Sequence, residues 1–458
     1  MNGQKQTNLF SAEKESLTTR QSNIIRSPKQ NGTEKEDSKP YLDELGIEII
    51  DNPQPIQFFK NSNDFIHRWS PYVQGFSAKF VQSIFNKYKF KYREPVIFDP
   101  FAGSGTVLVQ AKLNNYKVYG VELNPLLYYI ANTKLNTWHI NPDKLKKISN
   151  SLEPKRKFVA PEFLKSKKHF NLNVLRKLET IKSGIDSFTP ADEDEQKIKD
   201  LMLVAFSAIL IDCSNLKRTP CLGYTKNKTV EDDAPISFFK MKINEIAMDL
   251  EKLQSHFQHI NAESIVYLAN SKSFEHTQKY DVVITSPPYM NGLDYVINYK
   301  IEMGWLGFAE NHTQLKMVKD DMVVCDNVSK GLIKKFAVNN SRYTNSWLEE
   351  IKRNIKLNID NRGHYRRNDM PEIVHKYFDD MFIIMKKVVA AIKNGGRFIL
   401  VVGDSLIADV YLPTDLILAK IGTDLGMKIE KIEKARNRRS GQIRSYRLRE
   451  TIITLRKE

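Results

Sequence analysis

The sequence predicts an α/β fold with a doubly wound, mostly parallel sheet, and two observations lead to this prediction. Residues 95–136 alternate short apolar strands with helical segments around a glycine-containing turn. Because a strand, a glycine turn, a helix and a second strand in this order form a βαβ unit, parallel strands with right-handed crossovers are expected. Later apolar runs extend the sheet, and the chain ends in an antiparallel hairpin: 264–268, 280–285 and 397–402, then 428–435 paired with 450–456.

The first unit can be followed element by element. Its opening strand is Pro95–Phe98, and the glycine turn Asp99–Gly105 follows. A helix is predicted over 106–114 and a second strand over 116–121. The next helix is expected to begin at Pro125, because proline is favoured in the first turn of a helix.

A helical insertion separates this unit from the rest of the sheet. Apolar residues recur there at helical spacing, as at Leu172, Leu175 and Leu178, and strand signals are missing. A second insert over 290–370 and a helix over 372–393 come before the last strands. The predicted organisation is a disordered polar tail, a first sheet part, the helical insertion and a second sheet part, over 1–45, 46–136, 137–260 and 261–458 respectively.

Charge indicates the class of partner. The 458 residues include 70 lysines and arginines against 54 aspartates and glutamates, which gives a formal net charge of +16. Segments 137–190 and 428–458 each carry a net charge of +7, so most of the excess lies in two short stretches. Such clusters favour a polyanionic partner, and nucleic acid is the expected one.

Composition also excludes several classes of protein. No apolar run approaches the roughly 20 residues that cross a membrane, and the first residues lack the apolar segment of a secretory signal. A cytoplasmic location without a membrane partner is therefore expected. The three cysteines form no CxxC pair and the histidines form no ligand set with carboxylates, so neither a disulfide framework nor a metal site is predicted.

The turn Asp99–Gly105 has the features of a cofactor site. Gly103 and Gly105 allow a sharp turn and a close approach of a ligand to the backbone. Glu122, at the end of the next strand, can accept hydrogen bonds from both hydroxyls of a ribose. No third glycine follows the turn and the chain has no phosphate-loop lysine motif, so a nucleoside cofactor without a phosphate chain is expected.

A second motif, Ser286-Pro287-Pro288-Tyr289, follows the apolar strand 280–285. The two prolines fix the backbone and remove two N–H donors, which leaves carbonyl groups as acceptors. The Ser286 hydroxyl and a neighbouring carbonyl can accept both protons of an exocyclic amine and so free its lone pair for attack. The Tyr289 ring can stack on a planar base. The alternative is a proline-rich loop that only ends a strand.

Together these motifs resemble those of the DNA amino-methyltransferases that use S-adenosylmethionine. Phe76-Ser-Ala-Lys-Phe80 is similar to the family's Y-x-A-K-F segment, and the resemblance covers 65–136 and 260–458. It implies a Rossmann-like methyltransferase sheet with the cofactor half first and the catalytic half second. The catalytic residues that it implies are Ser286, Pro287, Pro288 and Tyr289. The cofactor-binding residues that it implies are Lys79, Phe80, Asp99, Phe101, Gly103, Gly105, Glu122 and Asn270.

The resemblance also implies a double-stranded DNA substrate whose target base is flipped out of the duplex. Ser286 in the first position of its motif is more similar to the cytosine-N4 members, so methylation of cytosine N4 is expected. Adenine N6 is the alternative, followed by an RNA methyltransferase and then by a catalytically dead nucleic-acid-binding protein. A restriction endonuclease is a candidate partner.

Two segments compete for the role of reading the DNA sequence. Segment 137–260 is favoured as the target-recognition region because it is large and basic, whereas 290–370 carries arginines close to the catalytic motif in sequence. The C-terminal hairpin is expected to neutralise phosphates, although a solvated hairpin loop is the alternative. The DNA-binding residues predicted there are Arg436, Arg438, Arg439 and Arg444.

Overall fold

The structure is a computed structural model that describes residues 34–458 except 55, 57–60, 62, 71, 73–74, 89–93, 219–220, 226–227, 291–293, 339–340 and 441–445. The strands are β1 Ile49–Asp51, β2 Val96–Asp99, β3 Lys117–Glu122, β4 Leu216–Arg218, β5 Leu222–Tyr224, β6 Ser264–Leu268, β7 Tyr280–Thr285, β8 Ile392–Gly403, β9 Ser405–Ile407, β10 Val410–Leu412, β11 Met427–Arg439 and β12 Arg447–Lys457. The helices are α1 Glu34–Leu45, α2 Ala78–Tyr88, α3 Thr106–Leu113, α4 Pro125–Asn136, α5 Pro142–Asn150, α6 Ser166–His169, α7 Leu172–Ser187, α8 Glu193–Ile209, α9 Ala234–His256, α10 Tyr295–Trp305, α11 His312–Asp321, α12 Lys330–Val338, α13 Ser346–Arg362, α14 Met370–Ala391 and α15 Thr414–Asp424. Two 3-10 helices lie at His67–Trp69 and Glu162–Leu164.

The main sheet has the strand order β1-β11-β12-β8-β7-β2-β3-β6. Strands β6, β3, β2, β7 and β8 run parallel to one another, whereas β12 is antiparallel to both of its neighbours, β8 and β11. The predicted mostly parallel sheet with an antiparallel C-terminal hairpin is therefore confirmed.

Helices cover both faces of this sheet. Ile97 of β2 packs into one hydrophobic core together with Val107 of α3 and Leu126 of α4. Its neighbour Phe98 packs into a second core that contains residues of α14 and α15. Alternate strand residues point to opposite faces, so burial of both explains the nearly continuous apolar strands of the sequence.

The order of the strands places a crevice beside β2. The chain runs outward from β2 through β3 to β6, and then returns to the other side of β2 with β7 and β8. Ligands of such sheets bind at the carboxyl ends of the strands where the order reverses. The glycine turn follows β2 and the Ser-Pro-Pro-Tyr motif follows β7, so both lie at this position.

The N-terminal segment differs from its prediction. A disordered tail was expected over 1–45, whereas α1 occupies Glu34–Leu45; residues 1–33 lie outside the described residues. The helix is ordered because Tyr41, Leu42 and Leu45 pack against the second core. The prediction missed this short apolar face because it was based on the polar composition of the whole segment.

The insertion over 137–260 is largely helical, as predicted, and it is built from α5 to α9. It also contains the small hairpin β4–β5, which the sequence analysis did not predict. Its apolar residues, such as Leu178, Leu201 and Leu250, belong to the same core as Val107 of α3. The insertion thus packs on the cofactor half of the sheet. Across the described ranges, we find no helix with the length and apolarity needed to cross a membrane.

Candidate active site

An open cleft lies at the carboxyl ends of β2, β3 and β7. Its empty volume is about 820 Å³, which includes the open mouth of the cleft. Residues from both motifs line the cleft, and so do residues from the segment before α2 and from the end of α11. The predicted site residues among them are Asp99, Phe101, Gly103, Glu122, Asn270, Ser286 and Pro288.

The glycine turn brings the backbone close to this cleft. Gly103 has φ +53° and Gly105 has φ +85°, both in the left-handed region that favours glycine. A Cβ on Gly103 would lie 3.1 Å from Cε1 of Tyr72, and one on Gly105 would lie 3.1 Å from Cβ of Ala131. The two glycines therefore let the turn pack closely against Tyr72 and against Ala131 of α4.

Glu122 ends β3 beside the turn. Its Oε2 accepts a hydrogen bond from the Gly103 N–H at 2.8 Å, and its Oε1 accepts one from the Asn124 N–H at 2.7 Å. Burial raises the pKa of Glu122 to about 7, and the two N–H groups act against this rise. Each carboxylate oxygen keeps a further lone pair, so the group can still accept hydrogen bonds from ribose hydroxyls.

Asp99 connects the two motifs. Its Oδ1 accepts hydrogen bonds from the Thr285 hydroxyl at 2.6 Å and from the Phe101 N–H at 3.0 Å. Burial raises the pKa of Asp99 to about 7, and the nearby Glu122 carboxyl adds to the rise. Because Thr285 is the residue before Ser286, this hydrogen bond holds the catalytic motif against the glycine turn.

The segment before α2 contributes different residues from those that the resemblance implied. Tyr72 and Phe76 line the cleft, whereas Lys79 is exposed and Phe80 is buried in the core against Phe76. Lys79 and Phe80 lie on the first turn of α2, which points one of them to solvent and the other into the core. Of this segment, Tyr72 and Phe76 therefore line the cleft, and Lys79 and Phe80 do not.

Asn270 lies at the opposite side of the cleft, after β6. Its side-chain amide donates a hydrogen bond to the Asp321 carbonyl at 2.9 Å, and its Oδ1 accepts one from the Lys272 N–H at 3.0 Å. Asp321, Met322 and Val323 continue the wall of the cleft at this side. Asn270 thus lines the cleft while its side chain also fixes the loop.

The Ser-Pro-Pro-Tyr motif presents hydrogen-bond acceptors to the cleft. Ser286 and Pro288 line it, and Pro287 is buried. The Pro288 carbonyl accepts a hydrogen bond from the Tyr377 hydroxyl of α14 at 2.9 Å. The Tyr377 hydroxyl thus holds the loop in place. The Ser286 hydroxyl and a neighbouring backbone carbonyl are the candidate acceptors for an amine.

Tyr289 points toward the C-terminal hairpin. Its hydroxyl donates a hydrogen bond to Glu450 of β12 at 2.5 Å, and the guanidinium carbon of Arg438 lies 5.2 Å from its ring centroid. Burial and the Glu450 carboxylate raise the pKa of the Tyr289 phenol, so it remains protonated and can donate.

The arginines of the hairpin take different positions from one another. Arg436 forms an ion pair with Glu450, and Arg438 packs against Tyr289, so both are engaged within the protein. Arg439 is exposed at the end of β11, and Arg444 lies outside the described residues. Among the predicted DNA-binding arginines that the structure describes, Arg439 is thus exposed, whereas Arg436 and Arg438 are partly buried.

Three residues that support the site were missed by the sequence analysis. Thr285 and Tyr377 hold the catalytic loop, as described above. Lys134 of α4 is fully buried, and its ammonium group lies 3.4–3.5 Å from the carbonyl oxygens of three residues: His67, Ser70 and Ser104. Burial lowers the pKa of Lys134 to about 7. Only its position on an otherwise apolar helix face could have indicated this role.

Comparison with known proteins finds similarity to methyltransferases. The family model described as D12 class N6 adenine-specific DNA methyltransferase matches residues 78–359. A Type II methyltransferase, M.BsoBI from Geobacillus stearothermophilus, is 23% identical over 436 residues, which cover 85% of this chain and 84% of the relative. The Type II methyltransferase M.AvaI from Nostoc sp. is 24% identical over 416 residues, with 82% of each chain covered. The Type II methyltransferase M.MjaII from Methanocaldococcus jannaschii is 32% identical over 144 residues, which cover 28% of this chain and 26% of the relative.

Proposed function

The chain belongs to the family of D12 class N6 adenine-specific DNA methyltransferases, and from this premise we propose that its cleft methylates the exocyclic amine of a base flipped out of double-stranded DNA. It is an S-adenosylmethionine-dependent DNA methyltransferase. When bound, the cofactor would supply an electrophilic methyl group.

The observation that carries the proposal is the hydrogen bond between Asp99 and Thr285. It joins the end of β2, where the cofactor turn begins, to the residue before Ser286. A methyl donor on the turn and an amine at the motif would therefore meet in one cleft. Proximity of this kind supplies a large part of the rate enhancement of a two-substrate reaction.

The cofactor role is assigned to residues whose surroundings fit a nucleoside. Glu122 is proposed to accept hydrogen bonds from the ribose hydroxyls, and Gly103 and Gly105 provide the close backbone surface. Phe101 and Phe76 add apolar surface to the wall of the cleft. Asn270 is proposed to lie near the adenine edge.

The amine chemistry is assigned to Ser286 and Pro287. The exocyclic amine of a base is a poor nucleophile because its lone pair is delocalised into the ring. Acceptors at the Ser286 hydroxyl and the Pro287 carbonyl would hold both amine protons and draw the nitrogen toward tetrahedral geometry. The nitrogen would then form a bond to the methyl carbon while the methyl–sulfur bond breaks and its electron pair stays on sulfur, and one amine proton would pass to water.

Adenine N6 is the first candidate for the target, because the description of the family names it. Cytosine N4 is the second candidate, since Ser286 stands in the first position of the motif. Both amines need the same two acceptors, so the mechanism is shared. The Type II designation of the relatives supports a further proposal, that a restriction endonuclease recognises the same DNA sequence.

The insertion 137–260 is proposed as the target-recognition region. Its hairpin β4–β5 contacts α10, the first helix after the catalytic motif. The Arg218 side chain donates a hydrogen bond to the Asn298 carbonyl at 2.9 Å and forms an ion pair with Glu302. The Leu222 N–H donates to the Asn298 side chain at 2.7 Å. A two-stranded ribbon that is fixed to this helix is a type of element that can enter a major groove.

Single-turnover transfer of a labelled methyl group tests the proposal. Excess enzyme with labelled cofactor is mixed with unmodified double-stranded DNA, and in a parallel reaction with RNA. Transfer is expected to DNA alone, and Ser286→Ala is expected to slow it on the order of 10²–10³-fold, because one preorganised acceptor is lost. Calorimetry should find unchanged cofactor affinity in this variant. Transfer at the full rate by Ser286→Ala, or transfer to RNA alone, would contradict the proposal.

A further inference from the structure

Tyr289 has a defined support in the C-terminal hairpin. Gly403 of β8, Glu450 of β12 and Arg436 of β11 are paired side by side across three adjacent strands. Arg438 lies two residues beyond Arg436, on the same face of β11. We call these four residues the tyrosine support. They lie at the end of the sheet that carries the catalytic motif.

Gly403 provides the space for this arrangement. A Cβ at this position would collide with Nη1 of Arg438 and would lie 3.1 Å from Cε2 of Tyr289. The guanidinium of Arg438 and the edge of the Tyr289 ring therefore both pack directly on the backbone of Gly403. The φ of Gly403 is not in the left-handed region, so close packing, and not backbone conformation, accounts for the glycine.

Glu450 fixes the far end of the tyrosine. Its side chain is 7% exposed, and it accepts from the Tyr289 hydroxyl at 2.5 Å while it pairs with Arg436. The ring thus has its hydroxyl held by a carboxylate and one side covered by a guanidinium. A planar cation against an aromatic ring is a stabilising contact, which leaves the ring rigid.

We propose that the tyrosine support positions Tyr289 as the platform on which the flipped base stacks, with Arg438 behind the ring and the base on its opposite face. The proposal rests on the proposed function, because it concerns the same base site. It assigns Gly403, Glu450 and Arg438 as positioning residues. It also assigns to Arg438 a structural contact in place of the phosphate contact that its arginine-rich loop suggests.

Two substitutions distinguish a structural contact of Arg438 from a phosphate contact. Gly403→Ala has an allowed backbone and adds one methyl group, which the flexible end of Arg438 can escape by moving away from the ring. Arg438→Lys keeps the positive charge but lacks the planar guanidinium. Asn437→Ala is the matched control, because Asn437 is exposed on the opposite face of the same strand.

The test uses a duplex that carries the methylation site mapped with the wild-type enzyme, with 2-aminopurine in place of the target base. Gly403→Ala and Arg438→Lys are expected to slow single-turnover methyl transfer on natural DNA on the order of 10-fold, the scale of a lost base–aromatic stack. The fluorescence of the flipped 2-aminopurine should be higher in complexes with these two variants than in the wild-type complex, because the base stacks less well on Tyr289. The salt dependence of DNA binding should not change, and Asn437→Ala should behave as wild type.

One outcome would contradict the proposed role of the tyrosine support. In that outcome, the Arg438→Lys variant transfers the methyl group and quenches 2-aminopurine fluorescence as the wild type does. The Arg438→Met variant, by contrast, binds DNA more weakly and with a shallower salt dependence. These results together would mean that Arg438 contacts a phosphate. If the wild type itself transfers no methyl group to DNA, the proposed function fails instead. Circular dichroism of each variant confirms that folding is retained.

Discussion

Glu122 shows how one residue can link cofactor binding to pH. It is buried beside Asp99, and burial raises the pKa of both carboxyl groups to about 7. The ionised form of Glu122 is the one that can accept hydrogen bonds from two ribose hydroxyls. In the folded protein without cofactor, however, the protonated form is favoured up to about pH 7.

Cofactor affinity and stability should therefore respond to pH in opposite directions. Affinity should rise as the pH increases through about 7, because Glu122 then loses its proton. Stability of the cofactor-free protein should fall between about pH 4.5 and 7, where the unfolded chain has released its proton and the folded protein still holds it. Glu122→Gln should weaken binding and remove its part of both trends.

Calorimetry with S-adenosylmethionine and thermal unfolding across this pH range would measure the two trends. The difference between wild type and Glu122→Gln isolates this residue from the titration of Asp99 and of the cofactor. Equal pH profiles for the two proteins would show that Glu122 does not hold the ribose.

At the scale of elements, the parallel strands were the most predictable part. Strands β6 and β7 have the predicted bounds, because short apolar runs between polar residues identify buried strands. Strand β8 was predicted over 397–402 but begins at Ile392, directly after α14, so the glycines at 395 and 396 lie within an irregular start of the strand. The two glycines lie in a bulge between Ile392 and Arg397, the residues that pair with β7, and Gly395 has φ +77°. The glycine pair therefore still makes a local turn, but within the bounds of the strand.

The contacts of the C-terminal hairpin could not be read from its sequence. The sequence does not distinguish these arginines from one another. Strand alternation and register determine which of them contacts Glu450 or Tyr289 and which is exposed to solvent. Arg449, for example, is buried in ion pairs with Asp404 and Asp415. These partners lie far apart in the chain, so only the folded sheet brings them together.

Arg439 is the hairpin residue whose exposure suits a phosphate contact. Arg439→Ala should weaken DNA binding and make the salt dependence of the binding constant shallower by about 0.9 in log–log slope, the value for one phosphate. The methylated sequence should not change, since phosphate contacts position the protein and do not specify bases. Binding titrations at several salt concentrations measure this, with Asn437→Ala as the uncharged neighbour. An altered target sequence with an unchanged slope would mean that Arg439 reads a base.

For the whole molecule, order along the chain and position in the sheet together define the site. The two motifs were identified from the sequence, and the sheet places them at adjacent strands where its order reverses. The net charge of +16 suits a DNA substrate. The identity of the methylated amine depends on the shape of the base site and on small differences in acceptor geometry, which motif residues alone do not determine.

Identification of the methylated nucleoside tests the central claim most directly. Unmodified DNA is incubated with the enzyme and S-adenosylmethionine carrying a heavy methyl group, digested to nucleosides and analysed by mass spectrometry against standards. We expect the heavy methyl group on an exocyclic amine, with N6-methyldeoxyadenosine as the first candidate and N4-methyldeoxycytidine as the second. A heavy methyl group on a ring carbon such as cytosine C5, or none in the DNA of a folded and cofactor-binding enzyme, would contradict the account.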